Sequence, residues 1–398
     1  MESPFTRDAP PRIRPRLPWP RAAERAPGGR VGGGRLGELG PNWYAPVMGT
    51  SIVPTAAAAL PVSAPRGPLL AVWSLAALML VAVVAARAAH WARYPARARA
   101  HLLDPAVAPF YGCASMAPLA VGAGALALDV PGALPIAVVL GAVGTAVGLV
   151  AAGAVPYLMV VRHRVPPGSA TPVWLLPVVA PMVAAALAPE LAQRLPEGQA
   201  RGTLLLAALA MFGLSLLATL LILPLVFARL VHHGPLPGPL TPSLFLVLGP
   251  LGQSTTALAG VAGAADGSPG APSPSAAQSA AVLYGAPVLG FALLWLGFAG
   301  ALVLRAARSG MGFAMTWWSF TFPVGTCVTG SAALWRHTGA AVFGWLSCAL
   351  FALLLAAWAT VLPRTAYRLF SGALPPAPRP APVAPPPVRG RTTSDGAR

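Results

Sequence analysis

Ten apolar stretches of about 19 to 28 residues alternate with polar connections along most of the chain, and none of them contains Asp, Glu, Lys, Arg or His. Because a helix rises about 1.5 Å per residue, each stretch is long enough to cross a hydrocarbon core of about 30 Å. Lipid offers no partners to peptide groups, so we expect each stretch to be helical. The stretches cover residues 44–64, 67–86, 106–128, 134–161, 171–189, 203–228, 242–265, 279–304, 311–335 and 338–363. The pattern predicts an all-α membrane protein with ten transmembrane helices.

The connections between the stretches are mostly short, so consecutive helices should be antiparallel neighbours. This predicts five helical hairpins in one transmembrane domain that covers residues 41–368. Residues 1–40 are rich in Arg, Pro and Gly, and residues 369–398 are rich in Pro. Neither tail has enough large apolar side chains to bury a core, so we expect both to be disordered.

Charge predicts the topology. The residues are 56% hydrophobic and 9% charged, and the net charge is +17. With both termini in the cytoplasm, 23 of the 27 basic residues, all of them Arg, lie on the cytoplasmic side, where membrane proteins carry their excess of Arg. The opposite side then has Arg66, Arg194, Arg201 and Arg336. We therefore expect a multi-pass protein of the inner or plasma membrane with both termini cytoplasmic, and no nucleic-acid partner.

Proline divides the stretches into two classes. Each odd-numbered stretch has a proline near its middle, whereas among the even-numbered ones only the eighth does, at Pro287. The prolines of the odd stretches are Pro54, Pro118, Pro177, Pro181, Pro250 and Pro323. Proline frees backbone carbonyls, which are tolerated at membrane depth only against protein or a water-filled cavity. The pattern predicts a quasi-five-fold arrangement in which the odd helices form an inner ring around a central pore, inside an outer ring of even helices.

The odd stretches also carry more of the neutral polar residues. We expect the pore to be lined at Gly49, Thr50, Ser51, Gly249, Gly252, Gln253, Thr321 and Thr326, together with the prolines above. Since the stretches contain no charged side chain, the expected cargo is a neutral solute or an anion rather than a cation. The alternative is that the kinks merely help a compact bundle to pack, because Gly and Pro are common in membrane helices.

The densest aromatic segment, MTWWSFTFPVGT at residues 315–326, supplies a candidate gate. Phe320 and Phe322 lie just before the kink expected at Pro323, and an aromatic ring on a kinked inner helix can close a narrow apolar pore. Ordinary core packing of these rings is the alternative.

Reactive clusters are not evident in the sequence. The six His residues lie in connections or at the ends of stretches, and the three Cys residues show no paired spacing. We therefore expect no enzyme activity, no metal and no cofactor.

Four segments resemble the tellurite-resistance/dicarboxylate transporter family of the voltage-dependent anion channel superfamily, which includes plant slow anion channels, yeast malate permeases and fungal sulfite efflux pumps. The segments are NWYAPVMGTS at 42–51, TPVWLLPVVAP at 171–181, TPSLFLVLGPLGQST at 241–255 and TWWSFTFPVGT at 316–326. The resemblance implies ten helices in five hairpins, a pore inside each subunit of a homotrimer, and a phenylalanine gate on the ninth helix, at Phe322 with Phe320 as the alternate. Ser51 departs from the family, since many relatives have Gly there.

The resulting functional hypothesis is transport of small anions through a Phe-gated pore. The expected substrates are C4-dicarboxylates such as malate, or oxyanions of the sulfite and tellurite type. A non-transporting membrane sensor or scaffold protein is the alternative.

Overall fold

The computed structural model of the chain describes residue 37 and residues 39–264 and 273–371, and all of its regular structure in this part is helical. The disorder expected for both tails falls on residues that lie mostly outside the described part. The helices are α1 (Tyr44–Ala59), α2 (Arg66–Arg93), α3 (Pro95–Leu103), α4 (Tyr111–Ala127), α5 (Ala133–Val161), α6 (Leu175–Ala192), α7 (Gln199–His233), α8 (Leu248–Ala264), α9 (Pro274–Arg308), α10 (Phe322–Thr338) and α11 (Ala341–Phe370). Each predicted apolar stretch lies mostly within one helix of 16 residues or more, and α3 is an addition.

Helix α3 occupies what the sequence pattern left as a connection between the second and third stretches. Its sequence, PARARAHLL, has too many cationic residues for a membrane span, and Pro95 starts it at a position where a missing N–H costs nothing. It is therefore a short helix at the end of the bundle, outside the apolar spans.

Eight helices in the described part are long and apolar enough to cross a membrane: α2, α5, α7, α9, α11, and α4, α6 and α8 with the turns that precede them. The remaining two, α1 and α10, have 16 and 17 residues. The fold is thus that of an all-α, multi-pass membrane protein.

Burial separates the long helices into the two predicted classes. In the most apolar windows of α4, α6 and α8, 72 to 83% of positions are buried, compared with 11 to 28% in α2, α5, α7, α9 and α11. Most residues of α1 and α10 are buried as well. The buried helices α1, α4, α6, α8 and α10, which we call the inner helices, are those of the odd-numbered stretches.

The inner helices form a closed circuit of contacts. Each one packs against the next, from α1 to α4, α6, α8 and α10, and α10 packs against α1 again. Each outer helix packs against the inner helix that precedes it and against the next one in the circuit. Exposed leucines and valines such as Leu221, Val160 and Leu283 cover the outer helices, as lipid contact requires.

The inner helices are also shorter than the outer ones. They have 16 to 18 residues, whereas the outer helices have 28 to 35. A 3₁₀ segment of 3 to 10 residues precedes each inner helix, directly in four cases and with Thr321 between the two in the last: Pro41–Trp43, Ala108–Phe110, Pro172–Trp174, Gly238–Val247 and Met315–Phe320. In all but the last, a proline occupies one of the first two positions of the segment.

Only half of the six prolines of the odd-numbered stretches lie in helix interiors, where the sequence predicts kinks. Pro54, Pro118 and Pro181 lie inside their helices, but Pro177, Pro250 and Pro323 lie in the first turns of α6, α8 and α10. In a first turn the missing N–H has no intrahelical acceptor to lose, so these prolines start helices rather than kink them. Outer helices α5, α7 and α11 also contain prolines, at Pro156, Pro224 and Pro363. The buried fraction of a helix therefore distinguishes inner from outer helices better than the presence of a proline does.

Candidate pore and gate

Residues of all five inner helices meet at one small cavity of about 10 Å³. Its lining comes from the first two turns of each inner helix and from the end of the 3₁₀ segment before α8: Met48, Met116, Leu175, Leu176, Val179, Leu246, Gly249, Phe322 and Pro323. Because the five helices pack side by side and their N-terminal turns meet there, these helices run in the same direction. The lining is apolar, and the volume is at the lower limit for one water molecule. These side chains therefore form an apolar plug across the axis of the circuit.

The two candidate gate residues occupy different places. Phe322 is 3% exposed and contacts the cavity directly. Phe320 ends the preceding 3₁₀ segment, where its ring packs edge-on against Phe245 at 4.8 Å and against Trp317 at 5.9 Å between ring centroids. Only Phe322 is part of the plug.

Local contacts fix the position of Phe322. Thr321 separates the 3₁₀ segment from α10, and its hydroxyl donates to the carbonyl of Trp318 at 2.7 Å. Gly49 of α1 lies against this turn, since a Cβ at Gly49 would be 2.2 Å from Thr321 Oγ1. The absence of a side chain at Gly49 therefore allows α1 to approach the turn that carries Phe322.

The expected pore-lining residues divide into two groups. Gly249 lines the cavity, and a Cβ there would have no atom within 4 Å. Gln253 follows it by one helical turn on the same face of α8; its side chain is 8% exposed and its Oε1 has no hydrogen-bond partner. The hydroxyl oxygen of Ser51 on α1 is likewise buried without a partner.

The other expected residues hold helices together. Thr50 accepts a hydrogen bond from the indole of Trp358 on α11 at 3.2 Å. Thr326 donates to the carbonyl of Pro323 at 2.7 Å and lies 3.3 Å from the carbonyl of Leu248. Gly252 packs directly against the backbone of α10 at Thr326. The remaining prolines, Pro54, Pro118, Pro177, Pro181 and Pro250, are buried and do not line the cavity.

Sequence reasoning missed most of the plug. Met48, Met116, Leu176, Val179 and Leu246 are ordinary apolar residues of apolar stretches, and nothing in their type separates an axial side chain from a lipid-facing one. It also missed the contact between two hydroxyls: those of Thr256, one of the polar residues of the odd-numbered stretches, and Thr329 are 2.9 Å apart, each two turns beyond a plug residue of its own helix.

A cationic cluster lies at the N-terminal end of the inner helices. Arg87 of α2 is 4% exposed; it donates to the hydroxyl of Tyr111, the first residue of α4, at 3.1 Å, and to the carbonyl of Leu39. The ring of His101 on α3 stacks on that of His90, with centroids 5.4 Å apart and planes within 3°. Burial, with the charges of Arg87 and His90, lowers the pKa of His101 to about 4. This cluster therefore favours neutral His101.

Arginine side chains occupy the opposite end. Arg66 donates to the carbonyl of Leu128 at the end of α4 at 2.9 Å, and Arg201 donates through two nitrogens to the last carbonyl of α8, at Ala264. Arg336 lies 3.5 Å from the last carbonyl of α1, at Ala59, and Arg194 donates to the carbonyl of Glu190 in the last turn of α6. These are the four arginines that the charge count placed opposite the termini.

Metal chemistry has no visible basis in the described residues, where no three His, Cys, Asp or Glu side chains are grouped so as to hold an ion. Cys113 and Cys327 are buried free thiols within the inner helices.

The fold and the plug together define a multi-pass helical membrane protein of the transporter and channel class, with five parallel buried helices converging on an apolar constriction. The chain belongs to the voltage-dependent anion channel family, whose model matches residues 38–366.

Individual relatives agree with this assignment. The chain is 30% identical over 220 residues to the sulfite efflux pumps of Arthroderma otae and Trichophyton rubrum; each match covers 54% of this chain and 58% of the pump. It is 24% identical over 343 residues to an uncharacterized transporter of Methanocaldococcus jannaschii, a match that covers 84% of this chain and 95% of that protein. The alignment with the pumps thus spans little more than half of their length.

Proposed function

We propose that the protein moves small anions across the inner or plasma membrane through a pore along the axis of the inner helices, closed at Phe322. The observation that carries the proposal is the apolar plug to which all five inner helices contribute. A constriction lined only by apolar side chains disfavours water, and without hydration an ion does not cross. The structure then corresponds to the closed state of a pathway.

Oxyanions such as sulfite and small dicarboxylates such as malate are the proposed substrates. The family membership and the relatives that pump sulfite support this class. Among the described residues, the middle of the inner helices offers only neutral polar groups, including the Ser51 hydroxyl, which has no hydrogen-bond partner, and the Gln253 amide. The O–H of Ser51 and the N–H groups of Gln253 can donate to an anion. Such groups replace part of an anion's hydration without binding it tightly, which suits passage.

The topology belongs to the same proposal. We infer ten crossings in five hairpins with quasi-five-fold order, in which α1 and α10 cross together with the 3₁₀ segments before them. Both termini would then lie in the cytoplasm, with the N-terminal ends of the inner helices and the Arg87 cluster on that side. The transmembrane domain would cover residues 41–368 between two tails, and the assembly would be a homotrimer with one pore in each subunit.

A flux assay tests the proposal. Purified protein in sealed vesicles should carry sulfite, malate, nitrate or chloride above the rate of protein-free vesicles, with a measurable preference among them. A scaffold or sensor protein would carry none of the four, and that result, obtained with correctly folded protein, would overturn the proposal.

A further inference from the structure

The C-terminal ends of the inner helices lie at one mouth of the axis, because their N-terminal turns meet at the plug and the five helices are parallel. The last carbonyls of a helix carry a partial negative charge equivalent to about half an elementary charge. Five such ends around one opening would repel an anion. This creates an electrostatic problem for the proposed pathway.

Arginine side chains meet four of these five ends. Arg66, Arg194, Arg201 and Arg336 each donate to a carbonyl in the last turn or C-cap of α4, α6, α8 and α1, respectively. The fifth inner helix, α10, ends instead at Gly339, whose left-handed conformation lets its N–H bond the carbonyl of Trp335 at 2.8 Å. A cationic side chain that caps such an end satisfies a free carbonyl and also offsets the partial negative charge of the helix dipole.

Three of these contacts are made between separate hairpins, since Arg336 of α10 reaches the end of α1. Arg66 begins α2 and reaches the end of α4, whereas Arg201 in the first turn of α7 reaches the end of α8. In both cases an outer helix supplies the cation to the end of the next inner helix in the circuit. Together with Arg336 and Arg194, these contacts place a guanidinium group at the C-terminal end of four of the five inner helices.

Carboxylates lie at the same end of the molecule. Within the described residues they are Glu190 in the last turn of α6, Asp129 after α4, and Glu197 before α7. Removing one arginine would therefore expose an anion to both a helix end and nearby carboxylates. The guanidinium groups, and not these carboxylates, are hydrogen-bonded to the helix ends. Their positive charge therefore lies closer to the helix ends than the negative charge of the carboxylates does.

We propose that Arg66, Arg194, Arg201 and Arg336 form an electrostatic collar that controls anion access at the C-terminal mouth of the pore. The collar rests on the proposed anion pathway. It is a specificity device rather than a binding site, because each guanidinium is held at a helix end by a backbone carbonyl and acts on a passing anion through its charge.

Current recordings from cells that express the full chain test the collar, because every copy there has the same orientation. Arg336→Gln and Arg66→Gln should each lower anion current that enters from the collar side about two- to fivefold at low ionic strength, with a smaller effect on current from the other side. The deficit should shrink as salt screens the charges. Arg336→Lys, which keeps the charge, should restore the current.

Glu190→Gln should raise the same current, because it removes a negative charge at this end of the molecule. Arg308→Gln, at the other end of the bundle, is the matched control. A purely structural role would lower stability and surface expression in all arginine variants, while leaving the current per molecule and its direction dependence unchanged. That outcome, or an unaltered Glu190→Gln current, would overturn the collar. Absence of any anion current in the wild type would instead contradict the proposed function.

Discussion

At the level of single residues, side-chain direction decides function, and sequence gives it only in part. The resemblance of its segment to a family predicts Phe322 as the gate, and in the structure Phe322 lines the axial plug. Thr50 and Thr326 lie on the same inner helices as plug residues, yet both hydrogen-bond to neighbouring helices. Residue type predicts that a buried hydroxyl needs a hydrogen-bond partner. The orientation of the helix about its own axis decides whether that partner is a group on a neighbouring helix or a transported solute.

Phe322→Ala should raise anion conductance roughly tenfold or more, equivalent to a barrier lower by about 1.4 kcal/mol, because removing the ring widens and wets the plug. Phe320→Ala is the matched control, since its ring packs on Phe245 and Trp317 outside the plug. Ion flux into vesicles measures both variants. Equal flux in Phe322→Ala and wild type would remove the gate from Phe322.

Gly252→Ala should destabilise the protein by about 1 to 3 kcal/mol, since its Cβ would lie 2.4 Å from the backbone of Thr326 and force α8 away from α10. The measurement is the midpoint of thermal unfolding in detergent. Gly297→Ala on α9, where a Cβ meets no atom within 4 Å, should leave the midpoint unchanged or slightly higher. If both variants unfold at the wild-type temperature, α8 and α10 do not pack as described.

At the level of elements, the alternation of inner and outer helices could be predicted because burial requires polar and small residues to face protein. Gly252 and Ser51 belong to such helices, whereas α7 presents Leu221 and other leucines to the outside. The 3₁₀ segments and α3 could not be predicted from hydrophobic periodicity. The 3₁₀ segments are as apolar as the helices they precede, and α3 is polar like a connection.

Packing of α3 should weaken in acid. The pKa of His101 is about 4 in the packed state, below the ordinary value of 6.5, so a detached α3 takes up a proton more readily than a packed one. The stability of packing is therefore complete above pH 6.5 and is lost progressively as the pH falls from 6.5 towards 4.

Hydrogen exchange of residues 95–103, corrected for intrinsic rates, measures this effect between pH 7.5 and pH 5. His101→Gln should remove most of the pH dependence, whereas His232→Gln, at the exposed end of α7, should retain it. Protection in the wild type that does not change with pH would show that His101 does not control the packing of α3.

At the level of the whole molecule, the circuit of inner helices gives each chain a complete axial plug of its own. The proposed trimer would therefore contain three independent pores. The protein in detergent should have a protein mass three times the 40.4 kDa of the chain, as measured by light scattering with the detergent subtracted. Mixed assemblies of wild-type and Phe322→Ala subunits should conduct in proportion to the fraction of Phe322→Ala.

A mass of one chain would contradict the trimer and leave the pore proposal intact. Conduction that is not proportional to subunit composition would show instead that the pores are coupled or shared. The oligomeric state could be inferred only from the family resemblance, because exposed apolar residues such as Leu221 suit lipid and a neighbouring subunit equally well.

The position of the plug has a consequence for membrane voltage. Its side chains come only from the first two turns of the inner helices and from the end of the 3₁₀ segment before α8, so the constricted part of the axis is much thinner than the outer helices, which have 28 to 35 residues. Where water enters from both sides, the transmembrane potential falls mainly across the remaining dry layer at Phe322. An ion that crosses this layer experiences nearly the full drop, about 2.3 kcal/mol per elementary charge for each 100 mV. Passage would thus depend on voltage without any charged sensor helix.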